Sequence, residues 1–183
     1  YSEDIIWLYE TYYPTLVGKD SGKGELRPGG ISTGSPEGVA AFRAYTPRLI
    51  EGEPWWTLSV LRRAHPNDSG EYISYALIAK HIASLMDACC TLILATTGMR
   101  RSELTHLRSG AVSFDAGGFW LRFTVFKTSV ATQGVSKRIP IPAITAKAIN
   151  IIERLCSDSR AYGKHNFLFS SITRQHFGKA VHS

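Results

Sequence analysis

From Glu71 to Ala95 the apolar positions Ile78, Ile82, Leu85, Cys89 and Leu92 recur at helical spacing, and Met86, Ile93 and Leu94 widen the stripe almost all round. This pattern predicts a long, central helix, with Gly98 suited to the left-handed residue that ends it. A short helix is expected over Arg100–Arg108, with Leu104 and Leu107 inward and Arg101, Thr105 and Arg108 outward. Beyond Gly117 and Gly118 the period changes to two. Residues 119–126 set Phe119, Leu121, Phe123 and Val125 against Trp120, Arg122, Thr124 and Phe126. Residues 135–142 alternate Val135, Lys137, Ile139 and Ile141 with Ser136, Arg138 and Pro140. Two strands joined by the polar stretch KTSVATQG follow, the second suited to a sheet edge because it contains proline. The preceding AVSFD is a candidate third strand.

The flanks are less regular. Residues 4–17 predict an apolar helix with Ile5, Leu8, Tyr12 and Leu16 near one face, weakened at its end by Pro14. Residues 18–40 are rich in Gly, Ser and Pro, as in a long loop or an ordered insertion, and the stretch that follows has room for one or two short helices. Trp55 and Trp56 are expected to pack a loop onto the core. After the strands, AITAKAINIIERLC predicts a helix with Ile144, Ala148, Ile151, Ile152 and Leu155 inward. NFLFSS is a short apolar segment, and ITRQHFGKAVHS is expected to begin another helix. The fold class is therefore α+β, mainly α with a small antiparallel sheet.

At 183 residues the chain is long enough for one domain with a substantial core, and 44% hydrophobic with 20% charged residues is ordinary for a globular protein. No apolar run is long enough to span a membrane, and the acidic start YSEDIIWLYETYY does not resemble a signal peptide. Cys89, Cys90 and Cys156 form no C-x-x-C pattern and fit reduced, buried thiols in a cytoplasmic protein. The six histidines show no metal-ligand spacing, so neither a metal nor a cofactor is expected.

Charge changes the picture. Residues 1–99 carry 8 Lys/Arg and 11 Asp/Glu, a net −3, whereas residues 100–183 carry 13 and 4, a net +9. The asymmetry begins at Arg100 and points to a polyanionic partner, with nucleic acid the leading candidate and a merely solvated basic surface the alternative. The arginines of GMRRSEL fall where a helix begins and where backbone N–H groups favour an anion. Arginine there can fork two donors onto a phosphate. Glu103, three residues after Arg100, is placed to hold a guanidinium or an imidazole.

TGMRRSEL, residues 97–104, resembles the first arginine box of the tyrosine recombinases, the phage-integrase family, in which T-G-x-R-x-S/G-E-L closes a buried helix. That family follows the box with a small antiparallel sheet whose hairpin carries a lysine. FWLRFTVFKTSVATQGVSKRIPIP resembles that hairpin, with Lys127 at the start of its turn and KRIPIP before the next helix. The strongest similarity covers about residues 85–142, a weaker one reaches Ser183, and residues 1–70 match nothing specific beyond a possible first helix.

The resemblance implies a metal-independent reaction. A tyrosine attacks a DNA phosphodiester, a 3′-phosphotyrosine forms and the 5′-hydroxyl leaves. On this basis Arg100 clamps the reacting phosphate, with Arg101 as the alternative, and Glu103 supports it. Lys127 protonates the leaving oxygen, with Lys137 as the alternative. Arg101, Arg108, Arg122, Lys137 and Arg138 are the candidates for holding DNA phosphates. Double-stranded DNA and further recombinase protomers are the implied partners.

The family also needs an H-x-x-R box and a later tyrosine. None of His165, His176 and His182 is followed at the third place by arginine, and Tyr162, the only tyrosine after Lys127, falls in a polar stretch. The chain is therefore expected to be a piece of the catalytic domain, without the amino-terminal DNA-clamping domain and without the second box. It belongs either to an active recombinase or to an inactive remnant that still binds DNA or a partner. A third reading, an RNA-binding or structural domain with a chance box, predicts that Arg100 and Lys127 lie far apart.

Overall fold

The fold was obtained as a computed structural model, which describes residues 2–12, 36–55, 61–63, 71–73, 75–125, 134–172 and 178–181. The chain divides into two compact units, Tyr1–Leu85 and Met86–Ser183.

The first unit opens with α1 (Ser2–Trp7), which runs into a π-helical turn over Leu8–Tyr12. Ile5, Ile6, Leu8 and Tyr9 are its buried apolar positions. Of the expected helix over 4–17, residues 13–17 lie outside the described residues, as does most of the Gly-rich stretch. Its end, Pro36–Arg43, forms helix α2 with proline at the first helical position, where the missing N–H costs nothing. Short strands follow in the described part of the stretch where one or two short helices are expected, and residues 56–60 and 64–70 of it lie outside the described residues. Leu49–Ile50 (β1) pairs with Glu53–Pro54 (β2), and Leu61–Arg63 (β3) pairs with Glu71–Ile73 (β4), both antiparallel. Between β1 and β2 both turn residues have positive φ, Glu51 at 52° and Gly52 at 88°, the mirror-image turn that fits strand twist.

A buried carboxylate organises this unit. Asp4 accepts hydrogen bonds from the Tyr45 hydroxyl at 2.9 Å, the Trp55 Nε1–H at 2.8 Å and the Arg48 N–H at 3.2 Å. Trp7 stacks on Tyr45 with ring centroids 4.0 Å apart. Three donors compensate the desolvation of the carboxylate. Burial, and then the bond to Asp4, push the Tyr45 hydroxyl up to about 12. Trp55 thus ties a turn to α1 as expected, while Trp56 lies outside the described residues.

Tyr75–Thr97 forms the long helix α3, four residues later in starting than its periodicity predicts because Glu71–Ile73 pairs as a strand. It ends as expected, with Gly98 at φ 63° and its N–H bonded to the Leu94 carbonyl at 3.0 Å. Its burial is narrower than an all-round apolar helix. Ile82, Cys89 and Ile93 are buried, Leu85, Met86, Leu92 and Leu94 are half-buried, and Ala83, Ser84, Asp87, Ala88, Thr91 and Ala95 are exposed. Alanines and a threonine supply the exposed face, and small side chains give a weak signal of which side is solvent. The side chain of Ile78 lies outside the described residues.

The second unit continues with α4 (Arg101–Thr105) and a three-stranded antiparallel sheet of β5 (Val112–Asp115), β6 (Gly118–Val125) and β7 (Val135–Ile141), in that order. Strand β6 is central, and the proline-bearing β7 is an edge, as its composition predicts. The register sets Phe119 opposite Ile141, Leu121 opposite Ile139 and Arg122 opposite Arg138. Leu121 and Val125 are buried while Arg122 is exposed, so one face is core and the other carries charge.

Helix α5 (Ala143–Leu155) packs on the core side of β6, and α4 also contacts β6. Thr145, Ala146, Ala148, Ile149, Ile151, Ile152 and Leu155 are its buried residues. Ile144, expected inward, is 53% exposed. The face that reaches the core runs through Thr145 and Ile149 instead. Thr145 belongs there because its hydroxyl meets that of Thr96 at 2.8 Å, joining the end of α3 to the start of α5.

Ser157–Gly163 forms a further helix, α6, where a polar loop was expected. It ends at Lys164, in the left-handed conformation at φ 51°. Leu168, Phe169 and Ser170 are buried. Phe167 bridges to Arg108, and Ser170 bridges to Ala180. Residues 178–181 are non-helical, so the expected final helix does not reach them; residues 173–177 lie outside the described residues. Gly163 and Gly178 are in backbone contact: a Cβ on Gly163 would overlap the Gly178 carbonyl oxygen. That close approach requires glycine.

All three cysteines are free thiols, with Cys89 and Cys156 buried. Burial pushes the Cys89 and Cys90 thiols up to about 11 and raises that of Cys156. A thiol whose pKa is higher folded than unfolded stabilises the fold below its unfolded value, near 9, and loses that contribution as pH rises through the folded value. Urea denaturation at increasing pH is therefore expected to show stability falling between about pH 9 and pH 11. A Cys89→Ala, Cys90→Ala, Cys156→Ala triple variant should show a flatter profile over that window.

Candidate nucleic-acid interface

Thr97–Gly98–Met99 turns the chain sharply at the end of α3 and delivers Arg100 to the start of α4. Arg100 is the capping residue, with extended backbone at φ −76° and ψ 155°. Glu103 folds back on it. Its Oε2 accepts the Arg100 N–H at 2.7 Å, and its Oε1 lies 3.6 Å from the Arg100 guanidinium. Glu103 is buried at 7% exposure, whereas the Arg100 side chain remains 51% exposed. The carboxylate therefore fixes the arginine's backbone and one side of its guanidinium, leaving the remaining donors toward solvent.

Two details differ from expectation. Helix α4 has only five residues, too few for a helix dipole of consequence, so positive charge at this turn comes from the side chains. Thr105, expected to face out, is buried, because α4 stops there and its last turn lies against the core. Its hydroxyl finds the Ser102 carbonyl at 3.2 Å.

The hydrogen bond and the ion pair of Glu103 separate in substitution. Glu103→Gln keeps an acceptor for the Arg100 N–H and loses only a half-exposed ion pair, and is expected to cost under about 1 kcal/mol. Glu103→Ala removes the cap acceptor from a buried position and is expected to cost about 1–2 kcal/mol. Urea denaturation of the two variants checks the order; equal losses would mean that the charge, not the cap, is what α4 needs.

Arg101 lies on α4 and is exposed. Arg108 is exposed too, and its guanidinium lies 4.3 Å from the centre of the Phe167 ring. The same ring meets His106 and His165 at 6.1 and 5.8 Å. Arg122 and Arg138 oppose one another on the outer face of the sheet, and Lys137 is exposed beside Arg138 on β7. Arg138 pairs with Asp115 and lies over Trp120. Lys127 lies outside the described residues, which include the sheet on either side of it, at Val125 and Val135.

Sequence reasoning missed the brace beneath these arginines. Glu153 on α5 accepts the Gly110 N–H at 2.6 Å and the Ser109 hydroxyl at 3.4 Å, which anchors the turn after Arg108. Arg160 on α6 donates to the Leu168 carbonyl at 3.1 Å and the Glu153 carbonyl at 2.7 Å. The Leu168 N–H reaches the Leu107 carbonyl at 2.7 Å. Arg160 is thus spent on internal carbonyls. These contacts span up to some sixty positions of sequence and leave no periodic trace.

Tyr162, on α6, is 61% exposed. Among the described residues no three His, Cys, Asp or Glu side chains cluster as metal ligands, and no helix is long and apolar enough to cross a membrane. No curated protein matches the chain. An arginine closing a long helix, a carboxylate folded onto it and a three-stranded sheet ending in a proline-bearing edge all fall within residues 73–182, which match the family model described as the phage integrase family; the chain belongs to that family, with the match covering the catalytic domain of tyrosine recombinases.

Proposed function

We propose that this chain contributes the first arginine box and the lysine hairpin to site-specific DNA recombination, by strand cleavage and rejoining through a 3′-phosphotyrosine. The observation that carries the proposal is Arg100, held by a buried Glu103 at the end of α3 with half its surface still open. In the transition state the nonbridging phosphate oxygens gather negative charge. A guanidinium already oriented by Glu103 stabilises that charge without reorganising. Lys127 is the proposed general acid for the departing 5′-oxygen. Arg101, Arg108, Arg122, Lys137 and Arg138 are proposed to hold flanking phosphates and so to position the duplex. The reaction also needs a second arginine and a tyrosine nucleophile; these 183 residues contain no H-x-x-R. The chain is expected to act in the cytoplasm, on DNA and beside further protomers.

The binding half of the proposal is testable on the chain itself. It is expected to bind duplex DNA weakly and with little sequence preference, affinity falling steeply with salt because each phosphate contact releases about 0.9 counterions. Fluorescence anisotropy across a salt series measures this. Absence of binding at the lowest salt would overturn the DNA reading. Strand cleavage by this chain alone would overturn the requirement for further groups.

A further inference from the structure

The outer face of the sheet carries an arrangement that folding alone does not require. Arg122 and Arg138 sit directly opposite one another on β6 and β7. Side chains so placed are about 5 Å apart at Cβ, and like charges there repel. The Arg138 guanidinium has partners of its own on the neighbouring strands. It crosses the central strand, lies over the Trp120 ring at 4.4 Å and pairs with Asp115 at the end of β5. Asp115 takes two further donors on its other oxygen, the Trp120 Nε1–H at 2.8 Å and the Gly117 N–H at 2.9 Å. These bonds, Arg138 foremost, hold the Asp115 carboxyl below its ordinary range, so it stays charged at neutral pH. Both partners of the pair are nearly half exposed, at 45% each. Among the described residues Arg122 has no ion-pair partner.

A carboxylate oxygen hydrogen-bonded to an exposed guanidinium occupies the place that a phosphate oxygen takes. We propose that Arg122 and Arg138 together form a site for one backbone phosphate of duplex DNA, and that Asp115 occludes it by holding Arg138 across Trp120 until DNA displaces the carboxylate. The proposal rests on the DNA reading above and adds to it a competing group inside the chain. When a phosphate enters, Arg138 rotates toward Arg122, two guanidinium groups share one phosphodiester, and the repulsion between them is relieved. Asp115 then keeps its bonds to Gly117 and Trp120, so the β5–β6 turn survives.

Asp115→Asn isolates this competition. The amide oxygen still accepts from Gly117 and Trp120, and only the charge facing Arg138 is lost. Anisotropy titrations of a fluorescent duplex with the full chain across a salt series are expected to show roughly threefold to tenfold tighter binding at low salt, with the log–log salt slope steeper by up to about 0.9. Arg138→Ala and Arg122→Ala should each weaken binding. In the Arg138→Ala background, Asp115→Asn should give no gain, because the competitor has nothing left to occlude.

An equal gain in that background would reduce Asp115 to a general charge effect and overturn the proposal. So would unchanged or weaker binding by Asp115→Asn with its far-ultraviolet circular dichroism intact. Arg138→Lys keeps charge but loses the planar guanidinium that lies over Trp120, and the gain from Asp115→Asn should shrink there; a full gain would also count against the site. Wild-type binding that ignores both arginines would overturn this site and leave the DNA reading standing. No wild-type binding at all would overturn both.

Discussion

Replacing Arg100 with alanine, in a protein that joins this chain to a second arginine box and a tyrosine, is expected to slow DNA cleavage by about two to three orders of magnitude. The estimate is about 3 kcal/mol or more, by analogy with loss of one preorganised oxyanion donor. The reason lies in the geometry of the turn. Arg100 is placed by its own backbone, through the 2.7 Å bond from its N–H to Glu103, and its guanidinium is half exposed with the Glu103 carboxylate on one side. Little ordering remains to be done when phosphate charge develops, so the loss should appear in the cleavage rate more than in DNA affinity. Single-turnover cleavage and anisotropy on the same variant separate the two. Cleavage unchanged, or a loss confined to affinity, would remove Arg100 from the reacting phosphate.

Leu121→Ala is expected to cost about 2–5 kcal/mol, enough to unfold much of the second unit under mild conditions. Leu121 is fully buried on the central strand, the strand that both α4 and α5 contact. A cavity there lies between the helix that follows Arg100 and the strand that carries Arg122. Ile139→Ala is the control: it is directly opposite on the edge strand and only half-buried, so it should cost clearly less. Thermal and urea denaturation give the comparison. Equal losses would mean that the sheet edge is as deeply packed as its centre.

How much was visible beforehand follows from the physics of each element. Strict alternation over Phe119–Val125 and the prolines near Ile141 announce a central strand and an edge, and β6 and β7 follow them. Gly98 announces the end of α3 because the left-handed turn there suits glycine. Strands β1 to β4 are two or three residues long, too short for a period, so alternation could not announce them. Helix α6 has the polar sequence SDSRAYG and is placed by tertiary contacts such as Arg160 to the Leu168 carbonyl. Ile144, expected inward, is left out at the first turn, where Thr145 is buried with its hydroxyl paired to that of Thr96, a contact between helices that periodicity does not show. Around the candidate site, TGMRRSEL identified Arg100 and Glu103 by resemblance, and their bond is local, three residues apart. The pairing of Asp115 with Arg138 depends on strand register and was not legible from composition.

The central claim is a division of labour, with Arg100 on the nonbridging oxygens and Lys127 on the leaving group. A duplex carrying a 5′-bridging sulfur at the scissile phosphate tests it most directly, because a thiolate leaves without a proton. Cleavage of that substrate by Lys127→Ala is expected to recover to near the unsubstituted protein's rate, while Arg100→Ala stays impaired. Equal rescue of both variants, or of neither, would contradict the assignment.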